Sequence, residues 1–241
     1  MSWKEELTEK LSTLSKAEFE YVETSDINRA SELDLNCTGI YMEATVIYFK
    51  IKNWNYLLKE HGRRKVAQVY TMYHEVISAI TKQNGAFVNC FSPNSFLIVY
   101  SGKDDFSSAV KGAMKIAFAL SDTFKAEFSH VNGLEFSMGL DHGHILGTKN
   151  LSDDKMEHLT WFGQCIYKAE CICNECSRPF FIGVSGNIYH SLGEDLRITS
   201  RRILGIKKSI EVWTKVSYQF ENVKKHLYQT NKKIPIDADE V

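Results

Sequence analysis

The sequence predicts an α+β fold: a ferredoxin-like βαββαβ core, with an N-terminal helix before it and a C-terminal tail after it. The clearest indication is the segment from Ala44 to Tyr100, which predicts a strand, a helix and a β-hairpin in that order. Residues 44–51 are apolar on both faces and rich in β-branched side chains, as in a strand buried in a covered sheet. Apolar residues then recur at helical spacing from Val66, and this run stops at Asn84-Gly85, a common helix terminus.

The remaining elements follow from turn and helix signals. Ser92-Pro93-Asn94 separates two short β-rich runs and predicts the hairpin turn, and Asp104-Asp105 predicts the start of a helix that ends near Phe128. The second half predicts a strand over 134–146, a helix that ends near Cys176, a short buried strand over 179–183, a short helix over 185–192, and a hairpin over 196–216 that turns near Lys207-Lys208.

The domain organisation follows from length. A chain of 241 residues can bury one full core. We expect a single domain over 41–217, a helical extension over 1–40 and a polar, partly mobile tail over 218–241. The extension has an amphipathic pattern, with Trp3, Leu7 and Leu11 as apolar positions, and we expect it to pack on the domain or on a second copy.

The composition indicates which classes of partner are disfavoured and which cellular compartment to expect. The 29 basic and 30 acidic residues nearly balance, so no global charge favours nucleic acid or an anionic membrane. No apolar run approaches the roughly 20 residues of a membrane helix. Six cysteines in a chain of this length do not suggest a secreted disulfide framework. We expect a cytoplasmic protein with reduced thiols.

The strand, helix and hairpin together resemble the first half of the catalytic domain of class III nucleotidyl cyclases, the family of adenylate and guanylate cyclases. In that family, one aspartate at the end of the first strand and one in the hairpin turn hold two divalent ions against the triphosphate. The resemblance places these positions at Lys50 and Asn94. Neither is a carboxylate, and the only acidic residues between Ala44 and Tyr100 are Glu60 and Glu75.

The second half is similar to the same family, so the resemblance covers Glu43 to Val216. Four motifs occur in the family's order: Gly139-Leu-Asp-His-Gly143, Leu159-Thr-Trp-Phe-Gly163, Pro179-Phe-Phe-Ile-Gly-Val-Ser185 and Leu204-Gly-Ile-Lys-Lys-Ser-Ile-Glu-Val-Trp213. The overall layout is most similar to the pyrimidine cyclases of bacterial anti-phage signalling.

The resemblance also locates the family's other catalytic positions, and none has the expected side chain. Gln164 stands at the base-selecting aspartate, Tyr167 at the ribose-orienting asparagine and Cys171 at the arginine that stabilises the transition state. Cys90 stands at the base-reading lysine. Lys207 and Lys208 lie near the position of a lysine that contacts the triphosphate, and with Lys50 they are candidate phosphate-binding residues.

These substitutions predict a catalytically degenerate cyclase homologue. Magnesium needs anionic oxygen ligands, and nucleotidyl transfer needs charge stabilisation at the phosphates. We therefore expect no metal and no cofactor. The predicted function is that of a binding or regulatory module that pairs head to tail with itself or with another subunit, and a nucleotide is a candidate ligand.

Two other functions stay open. A working cyclase, with pyrimidine nucleotides as candidate substrates, would need Mg²⁺ or Mn²⁺ and carboxylates from elsewhere, with Asp141 and Glu170 as candidates. A sensor or RNA-binding domain can share the ferredoxin-like order, although the near-neutral charge disfavours nucleic acid.

Two further groups of residues suggest metal ligands. Cys165, Cys171, Cys173 and Cys176 lie on one predicted helix, which cannot wrap four ligands around an ion, so we expect them to pack the helix on the sheet. His142 and His144 share one face of a strand and Asp141 lies on the other, and no third ligand for the histidines is evident nearby in sequence.

Overall fold

The computed structural model describes residues 2–27, 38–83, 85–102, 105–151, 157–203 and 206–236. Its strands are β1 Glu20–Glu23, β2 Thr38–Ile51, β3 Phe87–Ser92, β4 Ser95–Ser101, β5 Phe136–Leu151, β6 Glu157–Phe162, β7 Ile182–Ser185, β8 Ile198–Ile203, β9 Ile206–Glu211, β10 Thr214–Phe220 and β11 Val223–Thr230. Its helices are α1 Trp3–Lys16, α2 Trp54–Lys82, α3 Asp105–Phe118, α4 Lys125–Phe128, α5 Gln164–Glu175, α6 Gly186–Ser191 and α7 Glu194–Arg197, and a π-helical turn, Ala119–Thr123, follows α3.

The central sheet confirms the predicted core. Its strand order is β10-β11-β7-β5-β2-β4-β3, while β1 pairs with β2 and β6 pairs with β5. The four strands β5, β2, β4 and β3 are antiparallel neighbours, with α2 between β2 and β3 and α3 between β4 and β5. This is the ferredoxin-like βαββαβ arrangement. Strands β8 and β9 form a separate two-stranded sheet.

Both faces of the sheet are covered, and β2 shows why its sequence is apolar throughout. Ile47, Phe49 and Ile51 pack with α2 and α3 on one face. The alternating residues Val46 and Tyr48 pack with α5 on the other face. A strand buried on two faces cannot show a period of two in hydrophobicity.

The long helix begins earlier than its apolar pattern predicts, at Trp54 rather than at Val66. Gly62 interrupts it with φ 78°, a left-handed conformation that glycine adopts without steric cost. The break shifts the helical phase, so the periodic pattern is regular only after Gly62.

The C-terminal region differs from the expected tail. Residues 223–230 form β11, which pairs with β10 on one side and with β7 on the other. The turn residues Glu221 and Asn222 have φ 48° and 62°, as in the two-residue loops of β-hairpins. Only the last half of β11 is buried, beginning at Leu227. Because Lys224 and Lys225 are exposed and charged, the sequence pattern does not predict this strand.

Three smaller predictions concern the β8–β9 hairpin, helix α1 and membrane-spanning helices. Lys207 and Lys208 lie within β9 and not at the hairpin turn. Helix α1 begins with a capping box between Ser2 and Glu5, but it has no buried residue, so within the described structure it does not pack on the domain. None of the described helices is long and apolar enough to cross a membrane.

Candidate functional site

Lys50 and Asn94 are neighbours at one end of the central sheet. Lys50 lies near the end of β2, and Asn94 is in the turn between β3 and β4. The main-chain N–H of Ile51 donates to the carbonyl oxygen of Asn94 at 2.8 Å, and the Asn94 amide Nδ2 donates to the carbonyl oxygen of Ile51 at 3.3 Å. The two positions that the resemblance assigns to metal ligands are thus side by side.

The ammonium group of Lys50 is held by a neutral partner. Its Nζ donates to Oδ1 of Asn174, in the last turn of α5, at 2.9 Å. Among the described residues, no carboxylate lies within ion-pair distance of Lys50. A lysine side chain with a neutral partner therefore stands at the position that the resemblance assigns to a metal-binding aspartate.

Asn94 belongs to a chain of hydrogen bonds that continues across the sheet. Ser92 Oγ donates to Asn94 Oδ1 at 3.0 Å and lies 2.7 Å from Ser95 Oγ. The Tyr48 hydroxyl lies 3.3 Å from Ser95 Oγ and 3.2 Å from Glu170 Oε1. Burial, with a contribution from the Glu170 carboxylate, raises the pKa of Tyr48 to about 12, so the hydroxyl stays protonated and can donate.

Asp141 is a carboxylate with a partner of its own. It lies on β5, is 3% exposed, and pairs with Lys168 of α5 at 3.1 Å. Glu170, the other acidic candidate, accepts a hydrogen bond from Tyr48. Both carboxylates that an alternative metal site would use are already engaged in contacts within the domain.

Gln164, Tyr167 and Cys171 share one face of α5, since they are spaced at i, i+3 and i+7. Gln164 Nε2 donates to Oε2 of Glu221 at 3.4 Å. The Tyr167 ring lies 5.5 Å from the ring of Phe220, and a hydrogen bond with Cys171 raises the pKa of Tyr167. These side chains face the β10–β11 turn, and none of them is a cation that could stabilise phosphate charge.

The remaining predicted site residues lie elsewhere or outside the described side chains. Cys90 pairs with Phe96 in the β3–β4 ladder, but its side chain lies outside the described part. Lys208 is exposed on β9, in the separate two-stranded sheet, and the side chain of Lys207 also lies outside the described part. The structure therefore groups Lys50 with Asn94 and gives no contact between either of them and Lys208.

The four cysteines of the α5 region are free, as expected. Cys165, Cys173 and Cys176 are buried between the helix and the sheet, whereas Cys171 is half-buried. Burial raises the pKa of Cys173 to about 11 and that of Cys165 to about 12, which keeps both thiols protonated and poor as metal ligands. They pack the helix on the sheet.

Sequence reasoning missed a cluster of charged residues around His142. His142 Nδ1 lies 3.2 Å from Asp105 Oδ2, and its Nε2 lies 3.0 Å from Glu43 Oε1. Thr45 Oγ1 also donates to Asp105, and His144 stacks on Tyr41. The sequence predicts Asp105 only as the start of a helix. Its contact with His142 could not be predicted, because no local signal indicates that α3 begins beside β5.

The described residues do not fit the metal chemistry of a cyclase. They include no group of three or more His, Cys, Asp or Glu side chains placed to hold one metal ion. At the expected position an ammonium would repel a divalent cation, and the nearby amide oxygens, Asn94 Oδ1 and Asn174 Oδ1, are neutral and already accept hydrogen bonds.

Comparison with known proteins gives distant relatives. No protein-family model matches the chain. A uridylate cyclase of Burkholderia cepacia is 21% identical over 185 residues, which cover 74% of this chain and 80% of that protein. The crystal structure of the guanylyl cyclase Cya2 has a TM-score of 0.64 at 14% identity, over 80% of this chain and 93% of that one.

A second similar structure comes from a protein that is not named simply as a cyclase. It is a class III adenylyl cyclase-like ATP-binding protein from Pseudomonas aeruginosa, with a TM-score of 0.60 at 15% identity, over 80% of this chain and 43% of that one. These likenesses confirm the predicted resemblance at the level of the fold: the chain has the fold of class III nucleotidyl cyclase domains.

Proposed function

We propose that this chain is a catalytically degenerate class III nucleotidyl cyclase homologue that acts as a binding or regulatory module. One observation carries the proposal. The ammonium of Lys50 is held by Asn174 at the position that the resemblance assigns to the first metal ligand, and an amide, Asn94, lies at the position assigned to the second. Without anionic ligands, the divalent ions that neutralise developing phosphate charge have no site there.

The same residues suit an anion that binds without reacting. A lysine ammonium has three N–H donors, and Asn174 uses only one of them. The β8–β9 register also places Arg201 opposite Lys208 and Arg202 opposite Lys207. We take Lys50, Lys207 and Lys208 as the phosphate-binding candidates.

A solved structure with this fold supports a binding role by analogy. The Pseudomonas aeruginosa protein is named as cyclase-like and as ATP-binding. Its name indicates that nucleotide binding occurs on this fold outside proteins named as cyclases, and we propose a nucleotide as the ligand class here.

The direct test is incubation of the purified chain with each nucleoside triphosphate and Mg²⁺ or Mn²⁺, with detection of cyclic nucleotides by mass spectrometry. We expect no cyclic product. A cyclic product that Lys50→Ala or Asn94→Ala abolishes would contradict the proposal, because those residues would then be catalytic.

A complementary test restores the missing charges. The double variant Lys50→Asp/Asn94→Asp places two carboxylates side by side at the end of β2, and we expect it to bind Mn²⁺ measurably more tightly than the wild type. Electron paramagnetic resonance of free Mn²⁺ gives the comparison. Measurable Mn²⁺ binding by the wild type, as tight as that of the variant, would show that the natural residues already form a cation site.

The second candidate function is an active cyclase, with pyrimidine nucleotides as candidate substrates and bacterial anti-phage signalling as the candidate role. It is favoured by the likeness to a uridylate cyclase, and it requires Mg²⁺ or Mn²⁺ with carboxylates such as Glu170 and Asp141. In this case Glu170→Gln would abolish cyclic product, whereas Glu175→Gln, an exposed position on the same helix, would leave it unchanged.

We further propose that two copies, or this chain and a related subunit, pair head to tail. Large apolar side chains are exposed along α1 and on α5, including Trp3, Leu11 and Tyr167. Such residues are typical of surfaces that a partner covers. The oligomeric state in solution tests this part of the proposal.

A further inference from the structure

A cavity of about 480 Å³ lies beside the degenerate site and is lined mostly by other residues. It is formed by α2, the π-helical turn with α4, the start of β5 and the chain after α5. Its volume falls within the roughly 300–1,000 Å³ of small-ligand sites. It is connected to Lys50 through one residue, Asn174, which lines the cavity and also accepts the hydrogen bond from Lys50.

Aromatic rings form one wall of this cavity. Tyr73 and Phe128 meet edge to face with ring centroids 4.8 Å apart. Phe136 and Phe181 are stacked at 5.3 Å. All four residues line the cavity. A planar ring is the ligand group that such a wall accommodates best, because aromatic groups stack or meet edge to face.

Tyr73 supplies a polar group inside this wall. Its side chain is 2% exposed, yet its hydroxyl has no hydrogen-bond partner within the described part of the chain. Burial raises the pKa of Tyr73, so the hydroxyl remains a donor. The hydroxyl is not among the fully buried atoms without a partner, so it is accessible from the cavity that Tyr73 lines, and a ligand acceptor there could take its hydrogen bond.

The rim of the cavity is cationic. Lys52, Lys125 and Arg178 line it, against the single carboxylate of Glu135. Glu135 pairs with Arg178 Nε at 3.1 Å. Lys52 Nζ donates to the carbonyl oxygens of Cys173 and Asn174, which fixes one positive charge at the mouth. Lys125 forms no ion pair within 4 Å among the described residues, and its acidic neighbour Asp122 is already paired with Lys233. The excess of positive charge selects for an anion.

We propose that this cavity binds a small anion that carries one planar ring. The ring lies against the aromatic wall, an acceptor of the ligand takes the Tyr73 hydroxyl, and the anionic group meets Lys52 and Lys125. Nucleoside monophosphates and aromatic carboxylates share this chemistry. The proposal does not depend on the degenerate metal positions, because none of its contacts uses Lys50 or Asn94.

The experiment is calorimetric titration of the full chain with uridine monophosphate, cyclic uridine monophosphate, adenosine monophosphate, benzoate and inorganic phosphate. We expect at least one ring-bearing anion to bind, and phosphate alone to bind at least about tenfold more weakly. Nucleotide binding without benzoate binding identifies a nucleotide site, and the reverse identifies a carboxylate site. Absence of binding by all four ring-bearing anions at millimolar concentration would overturn the proposal.

Tyr73→Phe is the decisive variant, because it removes only a hydroxyl that has no partner in the described protein. It should weaken binding about three- to tenfold, the loss of one hydrogen bond, without lowering thermal stability. Tyr100→Phe is the matched control, since the buried Tyr100 hydroxyl is also unpartnered but does not line the cavity. Equal affinity of wild type and Tyr73→Phe would contradict the assignment.

Charge variants separate this site from the one at Lys50. Lys125→Gln should weaken binding, whereas Lys59→Gln, an exposed lysine outside the cavity lining, should not. Lys50→Ala should leave binding in place. If Lys50→Ala abolishes binding and Tyr73→Phe does not, the anion binds at the degenerate site and the cavity assignment is wrong.

Discussion

Single residues determine how closely the helices approach the sheet, and Gly112 of α3 shows this on the α2–α3 face. A Cβ at this position would meet the hydroxyl of Tyr100 on β4. That hydroxyl is buried and has no partner among the described residues. From sequence alone Gly112 only weakens its helix, by about 1 kcal/mol relative to alanine, and its contact with a strand could not be foreseen.

We therefore expect Gly112→Ala to lower the free energy of unfolding by about 1–2 kcal/mol, because overpacking outweighs the gain in helix propensity. Tyr100→Phe alone should be nearly neutral, and it should restore most of the stability of Gly112→Ala. Urea unfolding of the four proteins gives the coupling energy. A Gly112→Ala protein as stable as the wild type would show that the hydroxyl moves aside freely.

Among the single residues of the candidate site, the positions of some side chains could be predicted from the sequence. The motif order places Lys50 and Asn94 side by side, and the structure does the same. Their partners were not predictable. Asn174 and Glu170 lie on a helix that is distant in sequence from Lys50 and Asn94. The sequence pattern predicts Tyr48 only as a core residue. Contacts between distant elements depend on packing that no local pattern encodes.

At the scale of elements, α5 lies directly on β5 because Gly139 has no side chain. A Cβ there would meet the main-chain oxygen of Ala169 and the main-chain nitrogen of Cys173. Main-chain atoms cannot turn away as a side chain can. Gly139 on β5 therefore sets the position of α5, the helix that carries Gln164, Tyr167 and Cys171.

Gly139→Ala should destabilise the domain by about 3 kcal/mol or more, since α5 must shift away from the sheet. Gly186→Ala is the control: no atom lies within 4 Å of its added Cβ, and the residue begins α6. The control should be neutral or slightly stabilising. Thermal unfolding by circular dichroism measures both. Equal effects of the two substitutions would contradict the close contact.

Elements with strong local patterns were predicted well, and elements that depend on distant partners were not. The β2-α2-β3-β4 order followed from hydrophobic period and turn residues. Strand β11 was missed because its exposed half carries Lys224 and Lys225, and its buried half gains its environment only by pairing with β7. The start of α2 was missed because Gly62 breaks the helical phase.

At the scale of the whole molecule, an ion pair joins the segment after β11 to the π-helical turn after α3. Lys233 Nζ donates to Asp122 Oδ2 at 2.6 Å, and this hydrogen bond lowers the pKa of Asp122 below its ordinary 3.8. A carboxyl group with a lowered folded-state pKa stabilises the fold above its unfolded-state pKa. That stabilisation is lost as the pH falls through the folded-state value.

We expect Lys233→Gln to lower the melting temperature by about 1–2 °C at pH 7, a small effect because the pair is partly exposed. The difference should narrow between pH 5 and pH 3. Any difference that persists at low pH reports the contact of Lys233 with the Phe181 ring. Calorimetry from pH 3 to pH 7, with Lys215→Gln as an exposed control, checks this. A difference independent of pH would contradict the role of Asp122.

The apolar face of α1 bears on the assembly of the whole molecule, because no described residue of the chain covers it. Trp3 is 76% exposed and Leu11 is 56% exposed. If this face pairs with a second copy, Leu7→Glu/Leu11→Glu should shift the protein from dimer to monomer in analytical ultracentrifugation. Ser12→Glu, on the opposite side of the helix, should not. A wild-type monomer at the highest concentrations would contradict the pairing.

Strand β2 ends beside Lys50 and has strands along both of its edges and helices on both of its faces. Its amide hydrogens can therefore exchange with solvent only when a large part of the domain opens. The backbone that carries the Lys50 charge is thus already ordered before any anion arrives. If an anion binds at Lys50 as proposed, ordering of this backbone adds little to the entropic cost of binding.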